Sequence, residues 1–189
     1  MYKLDDLRKK LRKGKVYRRE DLAHWSKSVD RHLVELLEEG KLKKLAQGLY
    51  YVPNQSAFGS TPPDEDEVIK KYLKGDDYLL TSPNYYNTLG LGTTQLYNRK
   101  RVYNHKKHED VQLGNKIYEF RRKSKFPKKL SQEYLVVDLL NNLKNMAEDQ
   151  GMILHNLKNN IANWDKLDLK KQVQRYGSIN TRKIFEQIM

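Results

Sequence analysis

Apolar positions between residues 26 and 53 follow a helical spacing and then the pattern of a hairpin. Residues at i, i+4, i+7 and i+8 form one helical face, namely Val29, Leu33, Leu36 and Leu37. Ser26 precedes this run as a predicted N-cap, and Gly40 follows it, where glycine can adopt left-handed dihedrals. The pattern predicts one amphipathic helix between Ser26 and Gly40.

A basic hairpin is predicted directly after this helix. Residues 41–45 combine lysine with leucine, residues 46–48 are typical of a turn, and residues 49–52 form a second strand that Pro53 closes. A helix followed by a basic hairpin is typical of the recognition helix and wing of a winged helix-turn-helix. Such a unit has a physical reason to bind a DNA duplex, because a helix fits the major groove.

The residues before this helix predict the other parts of a winged helix. Leucines at helical spacing indicate a first helix that ends at Gly14, and residues 16–17 indicate a short strand that pairs with the wing. Residues 19–25 indicate a second helix. We therefore assign residues 1–55 to a DNA-binding domain, and residues 54–63, rich in turn formers, to a linker at its boundary.

Residues 56–189 predict a second domain, which makes the fold class α+β. Residues 64–127 are mixed: acidic residues open a helix at Asp64, residues 78–80 form a strand, and Ser82-Pro83 opens a helix that buries Tyr85, Tyr86 and Leu89. Strands follow at 101–105 and 111–113, with a hairpin turn at Gly114-Asn115. Residues 128–189 show helical spacing to the end and predict a helical C-terminal part.

Composition limits the partners and the chemistry. The net charge of +13 and the pI of about 9.6 predict polyanionic partners. The chain contains no cysteine, which excludes disulfides, a thiol nucleophile and thiolate metal ligands. No apolar run approaches the roughly 20 residues that span a bilayer, and the first residues lack a signal-peptide core. We expect a cytoplasmic protein without membrane contacts.

Polar residues of the predicted winged helix supply candidate DNA contacts. Arg31 is the candidate for bidentate contact with guanine, and Ser28 for a base or a phosphate. Asp30 would accept from cytosine or pair with Arg31. Arginines at the start of the second helix could hold a phosphate with help from its dipole, and the wing lysines would meet the backbone or the minor groove. The predicted DNA-binding residues are Arg18, Arg19, Lys27, Ser28, Arg31, Lys41, Lys43 and Lys44.

A second basic region lies well beyond the wing. Residues 99–129 hold twelve Lys and Arg against three Asp and Glu, with tyrosines interleaved. This mixture suits nucleic acid, because bases stack on aromatic rings and phosphates pair with cations. Solvated edge strands explain it equally well, since lysine on edges discourages aggregation. The candidates for a second nucleic-acid or partner surface are Arg99, Lys100, Arg101, Arg121, Arg122 and Lys123.

Patterns that suggest catalysis or metal binding are weak. Gly59-Ser60 with Asp64 and Asp66 resembles a nucleotidyltransferase site, but the spacing is too short and the acids open a helix. His105 and His108 lie among lysines that would repel a cation. The histidines and serines form no evident triad. We predict no enzymatic activity, no catalytic residues, no metal site and no cofactor.

Two segments in this order resemble the AbiEi-type antitoxins of type IV toxin–antitoxin, or abortive-infection, systems. The first is Leu33 to Pro53, with Glu39-Gly40-Lys41-Leu42 and Gln47-Gly48-Leu49-Tyr50-Tyr51-Val52-Pro53. The second is residues 82–95, which are similar to a family helix ending in Gly-Leu-Thr-Thr-Gln, although Gly92 interrupts that ending.

The resemblance implies a two-domain antitoxin. Its winged helix would repress its own operon by binding inverted repeats in the double-stranded promoter. Its C-terminal domain would counteract a nucleotidyltransferase-like toxin without a stable complex. Two other hypotheses remain open: a nucleic-acid-processing enzyme with an appended winged helix, and a winged-helix adaptor that binds proteins.

Overall fold

The computed structural model describes residues 4–57 and 59–188. These residues divide into two compact units, one running to Asp76 and including residues 112–116, the other formed by residues 77–111 and 117–188. Both contain helices and strands, and the chain after residue 131 is helical. The fold is therefore α+β with a helical C-terminal part, as the sequence predicted.

The first unit begins with helices and an antiparallel sheet in the predicted order. The elements are α1 Leu4–Lys10, β1 Val16–Arg18, α2 Arg19–Ala23, α3 Val29–Glu38, β2 Lys43–Ala46 and β3 Leu49–Tyr51. Within the described residues, these three strands pair in the order β1-β3-β2, so the strand before α2 lies beside the hairpin that follows α3.

The core of this unit is built by the apolar face of α3. Val29, Leu33 and Leu36 are buried against residues from the other helices and the sheet. The additional members of the cluster are Leu7, Tyr17, Leu22, Leu42 and Tyr50. The predicted apolar face is confirmed, and so is Gly40 at its end, where φ is +67°.

The predicted N-cap of α3 was wrong. The helix begins at Val29 rather than after Ser26, and Ser26 is buried. Its hydroxyl lies 2.7 Å from Nδ1 of His32, which is also buried. A buried imidazole needs a hydrogen-bond partner, so the Ser26 hydroxyl bonds His32 instead of capping the helix.

The predicted linker is a short hairpin. Strand β4 Asn54–Ser56 pairs antiparallel with β5 Gly59–Thr61, and Gly59 has a φ of +104° beside the turn. Helix α4 Glu65–Leu73 follows, and the carboxylate of Asp64 caps it by accepting from the backbone N–H of Glu67 at 2.9 Å. The start of a helix at Asp64 is confirmed.

Helix α4 belongs to the first unit because it contacts β1 and α2. The backbone N–H of Val16 donates to the Glu67 carboxylate at 3.3 Å, and Lys71 pairs with Asp21 at 2.8 Å. The unit thus extends beyond residue 55, where the sequence placed the end of the DNA-binding domain. It also includes residues 112–116, in which the Gly114 N–H donates to the Leu45 carbonyl at 2.8 Å.

The second unit is built on a sheet and a set of helices. The elements are β6 Tyr78–Thr81, β7 Arg99–Asn104, β8 Glu109–Leu113, β9 Lys116–Arg122, α5 Gln132–Asn142, α6 Gln150–Asn160, α7 Lys166–Tyr176 and α8 Ile179–Ile188. In the described residues the strand order is β6-β7-β9-β8, with β6 antiparallel and β9 parallel to β7. Residues 134–140 of α5 are all buried.

Between β6 and β7 the chain forms a 3-10 helix, Pro83–Leu89. The Ser82 hydroxyl accepts from the Asn84 N–H at 3.3 Å, so the predicted cap is confirmed. Tyr86 and Leu89 are buried as expected, but Tyr85 remains 39% exposed, because the 3-10 geometry changes which side chains face the core. Within the described residues, every helix is too short or too polar to cross a membrane.

Candidate nucleic-acid interface

The solvent face of α3 carries the polar residues that the sequence assigned to DNA. Lys27, Ser28, Asp30 and Arg31 are exposed, as is Val34, while the opposite face lies in the core. Arg31 has an i, i+4 pair with Glu35 at 3.4 Å, and its side chain is 74% exposed. A pair this exposed contributes little stability and can be exchanged for another anion.

Asp30 pairs with Arg19 and not with Arg31, so one of its two predicted roles was wrong. Its carboxylate accepts two hydrogen bonds from Arg19, from Nε at 2.7 Å and from Nη2 at 2.6 Å. These bonds join the start of α2 to the start of α3 and hold the pKa of Asp30 below its ordinary value. Arg31 is the wrong partner because neighbouring helical residues point in different directions. Acceptance of a hydrogen bond from cytosine stays a prediction.

Neither arginine at the start of α2 is held open for a phosphate in this structure. Arg18 pairs with Glu20 and is 18% exposed, and Arg19 is engaged by Asp30. The backbone N–H of Arg18 donates to the Asp21 carboxylate at 3.0 Å, which satisfies one free amide at the helix start. A phosphate would have to displace carboxylates here, so the predicted role of both arginines remains a prediction.

The hairpin β2–β3 exposes its lysines and buries its leucines. Lys41, Lys43 and Lys44 face solvent, whereas Leu42 and Leu45 are buried. Lys44 donates to the Gln47 side chain across the turn at 2.8 Å. A register shift between Lys44 and Ala46 interrupts the pairing. The hairpin therefore presents cations outward on a strand pair anchored by apolar contacts.

The second basic region is largely internal or paired. Arg101 is only 8% exposed and bonds Glu119 through Nε at 2.8 Å, and Arg99 pairs with the same carboxylate at 3.0 Å. Arg121 bonds Asp110 at 2.5 Å. The surface predicted from these side chains was wrong for Arg101, because parallel pairing of β7 with β9 places it opposite Glu119.

Lys123 likewise points inward, toward the fully buried Asp138 on α5. Its ammonium lies 3.3 Å from the carboxylate and 3.6 Å from the centre of the Tyr103 ring. Burial lowers the pKa of Lys123, although Asp138 acts in the opposite direction. Lys123 was therefore wrongly placed on an exposed surface. Lys100 and Arg122 complete the predicted set, and Arg122 is exposed.

Asp138 collects hydrogen bonds that sequence reasoning missed. The hydroxyls of Tyr86 and Tyr103 donate to its carboxylate at 2.7 and 2.6 Å. Burial raises the pKa of both tyrosines above the ordinary value, and the negative charge of Asp138 adds to this rise. The signal in the sequence is a lone acid within the apolar run 134–140, which needs partners when it is buried.

His105, one of the two histidines among the lysines, is held by contacts within the protein. His105 Nδ1 lies 2.8 Å from the Lys123 carbonyl, Nε2 lies 3.3 Å from Asp77, and the ring stacks on Phe126 at 4.7 Å between centroids. Across residues 4–57 and 59–188, no group of three or more His, Asp and Glu side chains could hold a metal ion.

Comparison with known proteins informs the fold alone. No protein-family model matches the chain, and no curated protein matches it. The chain is similar to the crystal structure of the RV2827C protein from Mycobacterium tuberculosis, with a TM-score of 0.54 and 14% sequence identity. The match covers 98% of this chain and 74% of that one, so the likeness in fold extends over nearly the whole chain.

Proposed function

We propose that this protein is an antitoxin and a transcriptional autorepressor that acts in the cytoplasm. It binds inverted repeats in its own promoter through a winged helix formed by α1–α3 and the hairpin β2–β3. It counteracts a nucleotidyltransferase-like toxin through the rest of the chain, without a stable complex and without catalysis of its own.

One observation carries the DNA-binding half of this proposal. The elements α3 and β2–β3 bury their apolar faces together and leave Lys27, Ser28 and Arg31, and the three wing lysines, in solvent. Cations on a helix followed by cations on a hairpin fit a duplex, whose backbone carries a charge about every 1.7 Å. Phosphate contacts from the hairpin would fix the register in which Arg31 reaches a base.

The antitoxin half rests on the resemblance of residues 33–53 and 82–95 to AbiEi-type antitoxins. Segment 82–95 contains the 3-10 helix, whose Tyr86 is tied to Asp138 in the core of the second unit. The resemblance thus extends beyond the DNA-binding elements into the other unit.

The two halves are tested separately in one reporter strain. The full chain should repress its own promoter and restore growth when the nucleotidyltransferase-like product of a neighbouring reading frame is induced. A variant with Arg31→Ala, Lys43→Ala and Lys44→Ala should lose repression and keep neutralisation. Sequence-specific promoter binding that survives these three substitutions would overturn the assignment of the winged helix, and absence of any growth rescue would overturn the antitoxin role.

A further inference from the structure

A basic groove lies in the second unit and includes Arg122 and Lys123 of the second basic region. It has a volume of about 510 Å³, and its walls come from the end of β9 and the following loop on one side and from the corner between α7 and α8 on the other. The lining residues are Arg122, Lys123, Ser124, Lys125, Arg175, Tyr176, Gly177 and Arg182. Five of these eight are cationic and none is acidic.

Four of the cations remain available to a ligand. Lys123 is committed to Asp138, but Arg122, Lys125, Arg175 and Arg182 are exposed and form no ion pair with the described carboxylates. Nη2 of Arg182 donates to the Gln174 carbonyl at 2.8 Å, and this bond fixes the path of the Arg182 side chain across the corner. Like charges around a concave wall repel one another and concentrate positive potential within it.

The α7–α8 corner is rigid because the side chain of Asn141 on α5 forms hydrogen bonds with it. Its side chain donates to the Tyr176 carbonyl at 3.0 Å and accepts from the Ser178 N–H at 2.7 Å and from the Thr181 hydroxyl at 2.8 Å. Thr181 is fully buried. The backbone that carries Arg175 and Arg182 is therefore fixed before any ligand arrives, which reduces the entropy cost of binding.

Glycine is required at the centre of this corner. A Cβ on Gly177 would lie 2.5 Å from the Val173 carbonyl oxygen and 3.4 Å from Cγ of Arg182. The missing side chain lets the stem of Arg182 cross directly over the turn. The sequence gives no period or motif for this arrangement, because Arg122 and Arg182 are sixty residues apart along the chain.

We propose that this groove binds the terminal phosphate of a nucleotide, either free or at the 5′ end of an RNA strand. A terminal phosphate carries close to two charges and several acceptor oxygens, which suits guanidinium forks converging from two walls. The volume of about 510 Å³ lies within the range of small-ligand pockets, so the groove has room for one nucleotide. The site is separate from operator binding and does not depend on it.

The test measures binding of the full chain to a fluorescent oligoribonucleotide with a 5′-phosphate and to the same strand with a 5′-hydroxyl. The wild-type protein should prefer the phosphorylated strand by about tenfold or more, since each charge-assisted hydrogen bond contributes about that factor. Arg122→Gln with Arg182→Gln should abolish the preference. Lys158→Gln with Lys170→Gln makes the same change in net charge on exposed residues outside the groove and should preserve it.

Competition by an unlabelled nucleoside 5′-monophosphate identifies the source of the phosphate. Displacement at similar affinity assigns the groove to free nucleotides, and failure to displace assigns it to the strand end. Equal binding of both strands by the wild-type protein, or equal loss in the groove and control variants, would overturn the proposal. Thermal unfolding checks that both double variants are folded. The oligonucleotide contains no operator, so this result is independent of the promoter experiment.

Discussion

The guanidinium of Arg19 donates two hydrogen bonds to the carboxylate of Asp30, at 2.7 and 2.6 Å. The pair lies at the solvent face where α2 and α3 begin, close to residues proposed to meet DNA. A parallel two-pronged contact is the geometry with which arginine also binds a phosphate. Asp30 occupies the groups on Arg19 that a DNA phosphate would use, and we therefore expect it to limit the affinity of this face for nonspecific DNA.

Asp30→Asn should strengthen binding to DNA of unrelated sequence. The substitution removes one negative charge and frees Arg19 to contact a phosphate. The slope of log affinity against log salt should steepen by about 0.9 for that added contact. Fluorescence anisotropy with a scrambled duplex at several salt concentrations measures both quantities. Glu186→Gln changes the net charge equally on an exposed residue of α8 and should leave the slope unchanged.

Arg31→Ala should reduce discrimination between the operator and a scrambled duplex by about 1–3 kcal/mol. The reason is that bidentate contact with a guanine carries sequence information, whereas phosphate contacts do not. Lys43→Ala should instead weaken binding to both duplexes equally. It should also reduce the slope of log affinity against log salt by about 1. Titration of both duplexes at one salt concentration separates the two effects. If Arg31→Ala weakened both equally, Arg31 would be a backbone contact.

The sequence predicts local structure well where one element determines it. The α3 face, its end at Gly40 and the hairpin turn follow from spacing and from glycine, and the helices after residue 131 follow from the 3.6-residue period. The sequence does not predict the short hairpin of residues 54–61, because apolar and polar residues do not alternate there.

Long-range pairing explains the errors in the second basic region. Arg101 and Lys123 are cationic in sequence, and only the parallel pairing of β7 with β9 and the position of α5 reveal their partners. The groove at the α7–α8 corner also depends on residues far apart along the chain. Charge in a sequence predicts a polyanion partner for the whole protein, but it does not predict which cations reach the surface.

Asp21 should contribute a pH-dependent share of the stability of the first unit. Burial raises the pKa of its carboxyl, but hydrogen bonds from Lys71 and from the Arg18 N–H, at 2.8 and 3.0 Å, outweigh this and lower it below 3.8. A carboxyl whose pKa is lower in the folded than in the unfolded protein contributes its full stabilisation at pH values above its unfolded pKa. That contribution is lost as the pH falls through the folded pKa.

The Asp21→Asn variant tests whether the stabilisation by Asp21 is lost as the pH falls. The difference in unfolding free energy between wild type and variant should be constant above about pH 5 and should shrink below about pH 4. Urea unfolding at a series of pH values measures it. Asp168→Asn, on α7 of the other unit, is the matched control. A difference that grew as the pH fell would contradict the assigned direction.

Asp138→Ala should be among the most destabilising single substitutions in the second unit. It would leave the buried hydroxyls of Tyr86 and Tyr103 and the ammonium of Lys123 without their shared acceptor. Removing one partner of a buried charged pair costs about 3–5 kcal/mol.

Chemical denaturation followed by circular dichroism measures this loss. Tyr86→Phe removes one donor and keeps the charge pair, so it should cost less, about 1.5–3 kcal/mol, the range for a hydrogen bond to a charged group. The double variant Asp138→Ala with Tyr86→Phe should cost less than the sum of the two, because both changes act on one network. Additive losses would show that the tyrosine and the carboxylate contribute independently, contrary to the geometry of the site.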